Sequence, residues 1–410
     1  MRRVIGRGFR VANESLRHDV NITYIARSFL DYRVPVFEAI DTLTGGRLHV
    51  VCSTLYTPER TQAKLRRALG ERAIALPGEK TIGRPRASSR MANTSVCFTY
   101  QPKLMSTITQ TRPDVLVSDE FFKWTVSAII YRLIRRVPLV TCYERTFHTE
   151  RGAQWYRVAY RRLALKLVDA VCCDGRLCAE YTRWLGMPEA YITTGHMAAD
   201  TDGLRTRVQA IGQDQRKAIR LEMNIRGLAF LYVGQLIKRK GLEELLAGWA
   251  RFERTAPGGA TLLLVGNGPE AENLRARAAA ANLEHVRLVG PVDYDSIASY
   301  YAAADVFVMP TLEDNWSLVV PEAMACGLPI LCSKYNGCWP ELVHTGGNGW
   351  VFDPLDSSDV FRALERCLAH APVLPRMGRN SQVVIGDHTP QKAAEAILRA
   401  CTVALNRWSR

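Results

Sequence analysis

A chain of 410 residues exceeds one ordinary domain and predicts two large ones. Hydrophobic residues make up 47% and charged residues 23%, which supports sizeable cores and excludes disordered and collagen-like classes. The net charge of +14 is uneven: residues 1–205 carry 32 Lys and Arg against 19 Asp and Glu, a net +13, whereas residues 206–410 carry 22 against 21, a net +1. A basic first half suits an anionic partner such as a membrane surface, a lipid diphosphate or a nucleic acid, although an Arg-rich solvated surface has the same composition.

No apolar run reaches the roughly 18 residues that span a bilayer, and the opening MRRVIGRGFRVANESLRHDV lacks the continuous apolar core of a signal peptide, so a cytoplasmic protein is expected. The eleven cysteines are odd in number and show no metal-ligand spacing, as expected of reduced thiols.

In chain order, short apolar runs predict strands at 21–26, 48–52, 114–117, 139–142, 170–173 and 191–194, with helices between them, including 35–43 and 155–167. Residues 60–72 and 155–167 are basic amphipathic segments that could lie on an anionic leaflet or could pack as ordinary surface helices. The stretch 195–226, rich in Gly, Asp and Gln, reads as a connection. Beyond it the alternation is plainer. Strands are predicted at 228–233, 261–265, 285–289, 305–310, 329–332 and 350–352, with helices at 241–254, 270–281, 294–303 and 318–326. The helix at 241–254 places Leu242, Leu245, Leu246, Trp249 and Phe252 on one face. Apolar strands alternating with helices predict a Rossmann-like parallel sheet, with ligands at the strands' C-terminal ends.

The strand-end loops of the second half carry the candidate chemistry. In Gly234-Gln235-Leu236-Ile237-Lys238-Arg239-Lys240-Gly241, a basic loop opens a helix, and helix amides beside a Lys ammonium make a site for a diphosphate. Lys240 is the expected contact, with a solvated lysine run as the alternative. Gly266-Asn267-Gly268 lacks the third glycine of a dinucleotide fingerprint, so Gly268 is read as permitting a close backbone approach. In PTLEDNWSLVVPEAMACG, Asp314 and Glu322 stand eight residues apart, two carboxylates able to accept hydroxyls of a ribose and of a sugar; Glu313 is a rival for Asp314. The loop Ser333–Glu341 closes the series.

Taken together, VGQLIKRKG, LLLVGNGPE, ADVFVMPTLEDNWSLVVPEAMACGLPIL and GNGWVFDP resemble the donor domain of glycosyltransferase family 4, retaining enzymes of the GT-B fold. The resemblance implies an α/β chain of two Rossmann-like domains facing across a cleft: an acceptor-side domain at 1–205, a nucleotide-sugar domain at 206–388, and a helix at 389–410 crossing back to the first. It implies that Glu322 binds the donor ribose and that Asp314, where the family has the first glutamate of its E-x7-E motif, lies near the transferred sugar. Gln235 stands where many members have an Arg, leaving Lys240 as the main cation. Gly234, Gln235, Gly268, Asn315, Ser317 and Leu318 are expected to line the nucleotide-sugar pocket. In the first domain Tyr143 takes a position where relatives often carry a His. Glu144 is then the expected catalytic-pocket residue, with Arg145 and His148 nearby and Asp119-Glu120 on the same rim. Arg33 is a candidate for an acceptor phosphate, with a plain exposed arginine as the equal alternative.

The function implied is transfer of a sugar from a nucleotide-diphosphate donor, UDP in preference to GDP, with retention. The acceptor would be a glycan or a polyprenyl-diphosphate-linked lipid in bacterial cell-surface polysaccharide synthesis, at the inner face of the cytoplasmic membrane. No cofactor or metal is required in this fold; the DxD runs Asp200-Thr201-Asp202 and Asp293-Tyr294-Asp295 read as caps or turns. A GT-B epimerase or hydrolase would share the pocket but need no acceptor. A nucleic-acid binder is suggested by charge alone, and nucleic acid is not an expected partner.

Overall fold

The computed structural model describes residues 20–82, 98–199, 201–293 and 296–408. The basic stretch 1–19 and Asp200, Tyr294 and Asp295 of the DxD runs lie outside the described residues.

The first half forms β1 (Ile22–Ile25), β2 (Leu48–Ser53), β3 (Ala73–Leu76), β4 (Lys80–Ile82), β5 (Phe98–Tyr100), β6 (Val115–Asp119), β7 (Leu139–Tyr143), β8 (Ala170–Cys173) and β9 (Ile192–Thr194). Strands β4 and β5 pair as a small antiparallel hairpin, and the other seven make a parallel sheet in the order β3-β2-β1-β6-β7-β8-β9. The second half supplies β10 (Leu228–Val233), β11 (Ala260–Val265), β12 (Val286–Gly290), β13 (Val306–Met309), β14 (Ile330–Ser333) and β15 (Gly349–Phe352). These form a second parallel sheet, ordered β12-β11-β10-β13-β14-β15.

Strands β1, β7 and β8 are buried at every residue because helices cover both faces of the sheet, and so they read as nearly unbroken apolar runs. On one face of the first sheet lie the helices Val34–Leu43, Glu59–Leu69 and Pro390–Trp408; on the other, Leu104–Thr111, Trp124–Arg135, Trp155–Leu165 and Arg176–Leu185. The helix Pro390–Trp408 sets Ala393, Ala396, Ile397, Ala400, Cys401 and Ala404 into the same core as Val115, Val140 and Ala170. Its alanines let the helix backbone approach the strands closely. In the second domain, Leu242–Thr255 buries the five residues its spacing singles out, with Trp249 edge-on to Phe230 at 5.5 Å.

Two regions differ from expectation. The connecting stretch contains helices Asp202–Ala210 and Gln213–Glu222, and the second buries none of its residues. It is held instead by Arg216 and Arg220, which pair with Asp305 at 2.6 and 2.9 Å and donate to the carbonyls of Ala302, Ala303 and Gly227. A helix fastened by charge leaves no apolar period to read. Strand β3 is a half-buried edge of alternating Ala, Ile and Leu, too weak a pattern to mark.

The loop after β7 is anchored by a buried ion pair, Arg161 to Glu150 at 2.7 Å, with the two side chains only 2% and 1% exposed. R161M removes the nearer of the two arginines beside the Glu150 carboxylate, Arg145 lying at 3.7 Å, and is expected to lower unfolding free energy by up to about 3–5 kcal/mol, whereas R161M/E150M recovers most of it. Urea unfolding of the three proteins checks both values.

Candidate functional site

In each sheet the chain runs outward from its first strand and then returns to that strand's other side, giving switch points between β1 and β6 and between β10 and β13. Crevices at the carboxyl ends of such strands are where open parallel sheets take ligands.

At the β10/β13 crevice two rim loops are zipped together. Leu312 N and Thr311 Oγ1 donate to Arg239 O at 2.8 and 3.0 Å. Gly241, at φ +68°, sits where an added Cβ would lie 2.1 Å from Pro310 O, so only glycine permits this approach. The zip brings Lys240 Nζ to 2.5 Å from Asp314 Oδ2, which also accepts Ser317 Oγ at 2.7 Å, while Asp314 Oδ1 accepts Trp316 N at 3.2 Å. Burial acts to raise the Asp314 carboxyl, but Lys240, Ser317 and Arg239 outweigh it and hold it below the usual range. Arg239 is thus a second cation at this rim; the KRK run contained it, but the reading selected only Lys240.

The remaining residues frame that pair. Gly234 ends β10, and Gln235 is exposed at the mouth, its carbonyl accepting Tyr232 OH at 2.8 Å. A Cβ on Gly268 would lie 2.3 Å from Leu236 O, the close approach its motif suggests. Leu318 caps the helix Val319–Ala325, which carries Glu322. Tyr301 OH donates to Glu322 Oε2 at 3.2 Å, and burial pushes the Glu322 carboxyl up to about 7. Asn315 Oδ1 and Trp316 Nε1 are buried without a hydrogen-bond partner among the described residues. Asn336, fully buried, accepts Ser317 N and Cys338 N on Oδ1, both at 3.4 Å, and its Nδ2 is likewise without a partner. Its place in an Asn-Gly turn at a strand end was the available signal.

The first domain closes over this site. His148 Nε2 bonds to Leu312 O at 2.8 Å and its ring stacks on Tyr335 at 4.3 Å. Arg151 pairs with Glu313 at 2.9 Å, so the rival carboxylate is engaged across the domain boundary while Asp314 faces Lys240. Arg176 N donates to Glu341 Oε1 at 2.5 Å, and Gly175 packs against the Trp316 ring. Glu144 follows β7 and is pushed up to about 7 by burial and by Glu120. Asp174, which sequence reasoning did not select, lies near Glu144; burial and Glu144 raise it well above the usual carboxylate range, and its Oδ2 has no partner among the described residues. Arg33 corrects an expectation. Only 3% exposed, it donates to Tyr24 OH at 2.5 Å and to Asp119 Oδ1 at 3.0 Å, and so is a structural residue beneath the first crevice.

Residues 227–370 match the family described as "Glycosyl transferases group 1". The D-inositol 3-phosphate glycosyltransferase of Acidothermus cellulolyticus is 31% identical over 176 residues, covering 40% of this chain and 39% of that protein. A sulfoquinovosyl transferase of Arabidopsis thaliana is 24% identical over 320 residues, covering 74% of this chain and 58% of that one. The chain thus spans less than two thirds of either protein. Among solved structures, Anabaena HepE in complex with UDP aligns with a TM-score of 0.71 at 17% identity, covering 93% of this chain and 99% of that one. Another HepE structure, in complex with UDP-glucose, gives 0.67 at 16%, covering 93% and 99%. The chain has the GT-B fold.

A carboxyl raised by burial keeps its proton in the folded chain and loses it in the unfolded one. The stability Glu322 contributes is therefore fully present below its ordinary 4.5 and lost as pH rises to about 7. E322Q removes that loss, so its thermal midpoint relative to wild type should climb between these two pH values and then level off in a pH series.

Proposed function

We propose that the chain is a glycosyltransferase moving a sugar from a UDP-sugar to a glycan or polyprenyl-diphosphate-linked acceptor with retention of anomeric configuration, in cell-surface polysaccharide synthesis. The observation carrying this reading is the Lys240–Asp314–Ser317 set at the β10/β13 crevice, with Glu322 on the adjoining helix. The match of 227–370 to a glycosyl-transfer family and the UDP and UDP-glucose held by HepE support it.

Lys240, Arg239 and the rim amides hold the diphosphate, Glu322 the ribose, and Asp314 a hydroxyl of the transferred sugar. As the bond from the anomeric carbon to the diphosphate oxygen breaks, negative charge grows on the leaving group, where fixed cations stabilise it most. The acceptor oxygen attacks the same face, and its proton passes to the departing diphosphate. Glu144, from the facing domain, orders the accepting hydroxyl as hydrogen-bond acceptor. No cofactor or metal is assigned a step.

The partner surface is read from the helices over the outer face of the first sheet. Val126, Ile130, Leu133 and Ile134 of Trp124–Arg135, and Trp155, Tyr156 and Leu163 of Trp155–Leu165, are exposed, Trp155 by 81%. Arg135, Arg136, Arg162 and Lys166 stand exposed among them. Apolar side chains interleaved with cations suit an anionic bilayer surface. The helix Glu59–Leu69, also a candidate, turns Thr61, Leu65 and Leu69 inward and has no large exposed apolar side chain. No described helix is long and apolar enough to cross a membrane.

Incubation with UDP-sugars and lipid-linked acceptors, with the product anomer read by NMR, is expected to give a retained linkage, and K240M to reduce turnover by about 10²–10³-fold. An inverted product removes the retaining assignment; donor consumption without acceptor moves the reading to an epimerase or hydrolase. In flotation, the protein is expected to rise with phosphatidylglycerol vesicles, to be released by salt, and to stay down as I134D/W155D.

A further inference from the structure

Two carboxyls stand side by side where the first domain meets the second. Glu144 follows β7 and Asp174 follows β8, strands paired in parallel up to Tyr143 and Cys173. Asp174 N donates to Tyr143 O at 3.1 Å, so the two chains are still paired as they leave the sheet. Paired strands run about 4.8 Å apart, which makes these next residues neighbours across the sheet end. Both positions are held. Tyr143 O, the carbonyl just before Glu144, also accepts Cys178 Sγ and bonds to His196 Nε2, each at 3.1 Å. Asp174 Oδ1 accepts Gly175 N at 2.7 Å. A Cβ added to Gly175 would lie 2.8 Å from the Trp316 ring and 2.9 Å from Glu341 Oε1, so the pair adjoins the second-domain loop that carries Asp314.

No cation answers this pair. Asp174 is 2% exposed and its Oδ2 has no partner, and neither its side chain nor that of Glu144 makes an ion pair among the described residues. The arginines around them are engaged elsewhere, Arg145 with Glu120 and Arg33 with Asp119, each at 3.0 Å. The other titratable groups facing the pair, Tyr32, Cys173, Cys178 and Glu341 of the second domain, add no positive charge. Two neighbouring carboxylates, one of them shut away from water, cannot both be ionised near neutrality. One proton stays, and Asp174, the deeper of the two, keeps it. Burial and then Glu144 raise Asp174 well above the usual carboxylate range, whereas burial and then Glu120 push Glu144 up only to about 7. A protonated Asp174 has an O–H to donate, and the half-buried Glu144 carboxylate beside it is the available acceptor.

We propose that Asp174 is a positioning residue for Glu144: it keeps a proton, donates it in a hydrogen bond to the Glu144 carboxylate, and so holds that carboxylate charged and turned toward the accepting hydroxyl. The inference rests on the transferase reading only for that hydroxyl; the shared proton is a property of the folded chain. Asp174 keeps its proton throughout, while the proton of the accepting hydroxyl passes to the departing diphosphate. The arrangement also sets an upper limit of pH, because an ionised Asp174 repels Glu144 instead of holding it.

The test is a double-mutant cycle of D174N, E144Q and D174N/E144Q against wild type, with urea unfolding followed from about pH 5 to pH 9. The amides keep the size of the carboxyls, and groups common to all four proteins, Glu322 among them, cancel in the differences. A raised carboxyl contributes stability at low pH that is lost as pH rises through its folded value. In wild type minus the double variant, that loss is expected to extend about one pH unit or more beyond the loss left to Asp174 alone, read as E144Q minus the double variant. If the wild-type difference equals the sum of the two single-variant differences at every pH, the carboxyls titrate independently and the proposal is overturned. Should the double variant not fold, infrared spectra of the other three proteins decide the same point. The protonated-carboxyl band is expected to persist to higher pH in wild type than in E144Q, and equal persistence overturns the proposal. With a UDP-sugar and a lipid-linked acceptor, wild-type kcat/KM should fall at the pH where Asp174 ionises. D174N, which still donates an N–H, should lose that falling limb, and D174A should lower kcat about tenfold or more with donor KM unchanged. A falling limb that persists in D174N overturns the positioning role. A chain that transfers from no UDP-sugar removes the transferase reading and leaves the shared proton to stand on the stability cycle.

Discussion

The ammonium of Lys240 and the carboxylate of Asp314 meet at 2.5 Å across two loops 74 residues apart in sequence, and both side chains are only 13% exposed. At such shielding neither charge is cheaply separated from the other, so the loop after β10 and the loop after β13 form one unit. The pair also sets what the second domain can do. On the proposed reading, a diphosphate approaching the rim would meet a cation already oriented by a carboxylate, which Ser317 and the Trp316 amide hold in place. Glycine at 241 makes the unit possible, since any side chain there would strike the Pro310 carbonyl.

The two domains meet through the same loops. Leu312 and Glu313, the residues just before Asp314, are gripped by His148 and Arg151 of the loop after β7. That loop is fixed in turn by Glu150 and Arg161, so a buried ion pair in one domain is connected through short contacts to the loop after β13 in the other. Trp316, packed against Gly175, extends the junction to the start of the helix Arg176–Leu185.

Sequence periodicity located the strands of both parallel sheets, β3 excepted, to within a residue or two, because strands buried on both faces have no choice but to be apolar. Residues Leu242 to Phe252 were legible for the same reason. What escaped was held by charge or by geometry across long separations. The helix Gln213–Glu222 is fastened by two arginines to Asp305 and left no apolar period. The partners of Lys240, the inward turn of Arg33, and the division of labour between Glu313 and Asp314 all depend on how distant segments fold together. Neighbouring carboxylates in a chain are interchangeable to the eye until the backbone turns one toward Arg151 and the other toward Lys240. Spacing could single out Glu322 but not its raised carboxyl, which comes from burial beside Tyr301.

The alanine-lined helix Pro390–Trp408 bears on the order in which the molecule is made. The core over one face of the first sheet is completed by residues 393 to 404, which leave the ribosome after the whole second domain has been synthesised. Strands β6, β7 and β8 must therefore wait with that face uncovered while β10 to β15 close their own core. The domain that begins first finishes last, and the docking of a single helix both seals it and fastens the two halves together.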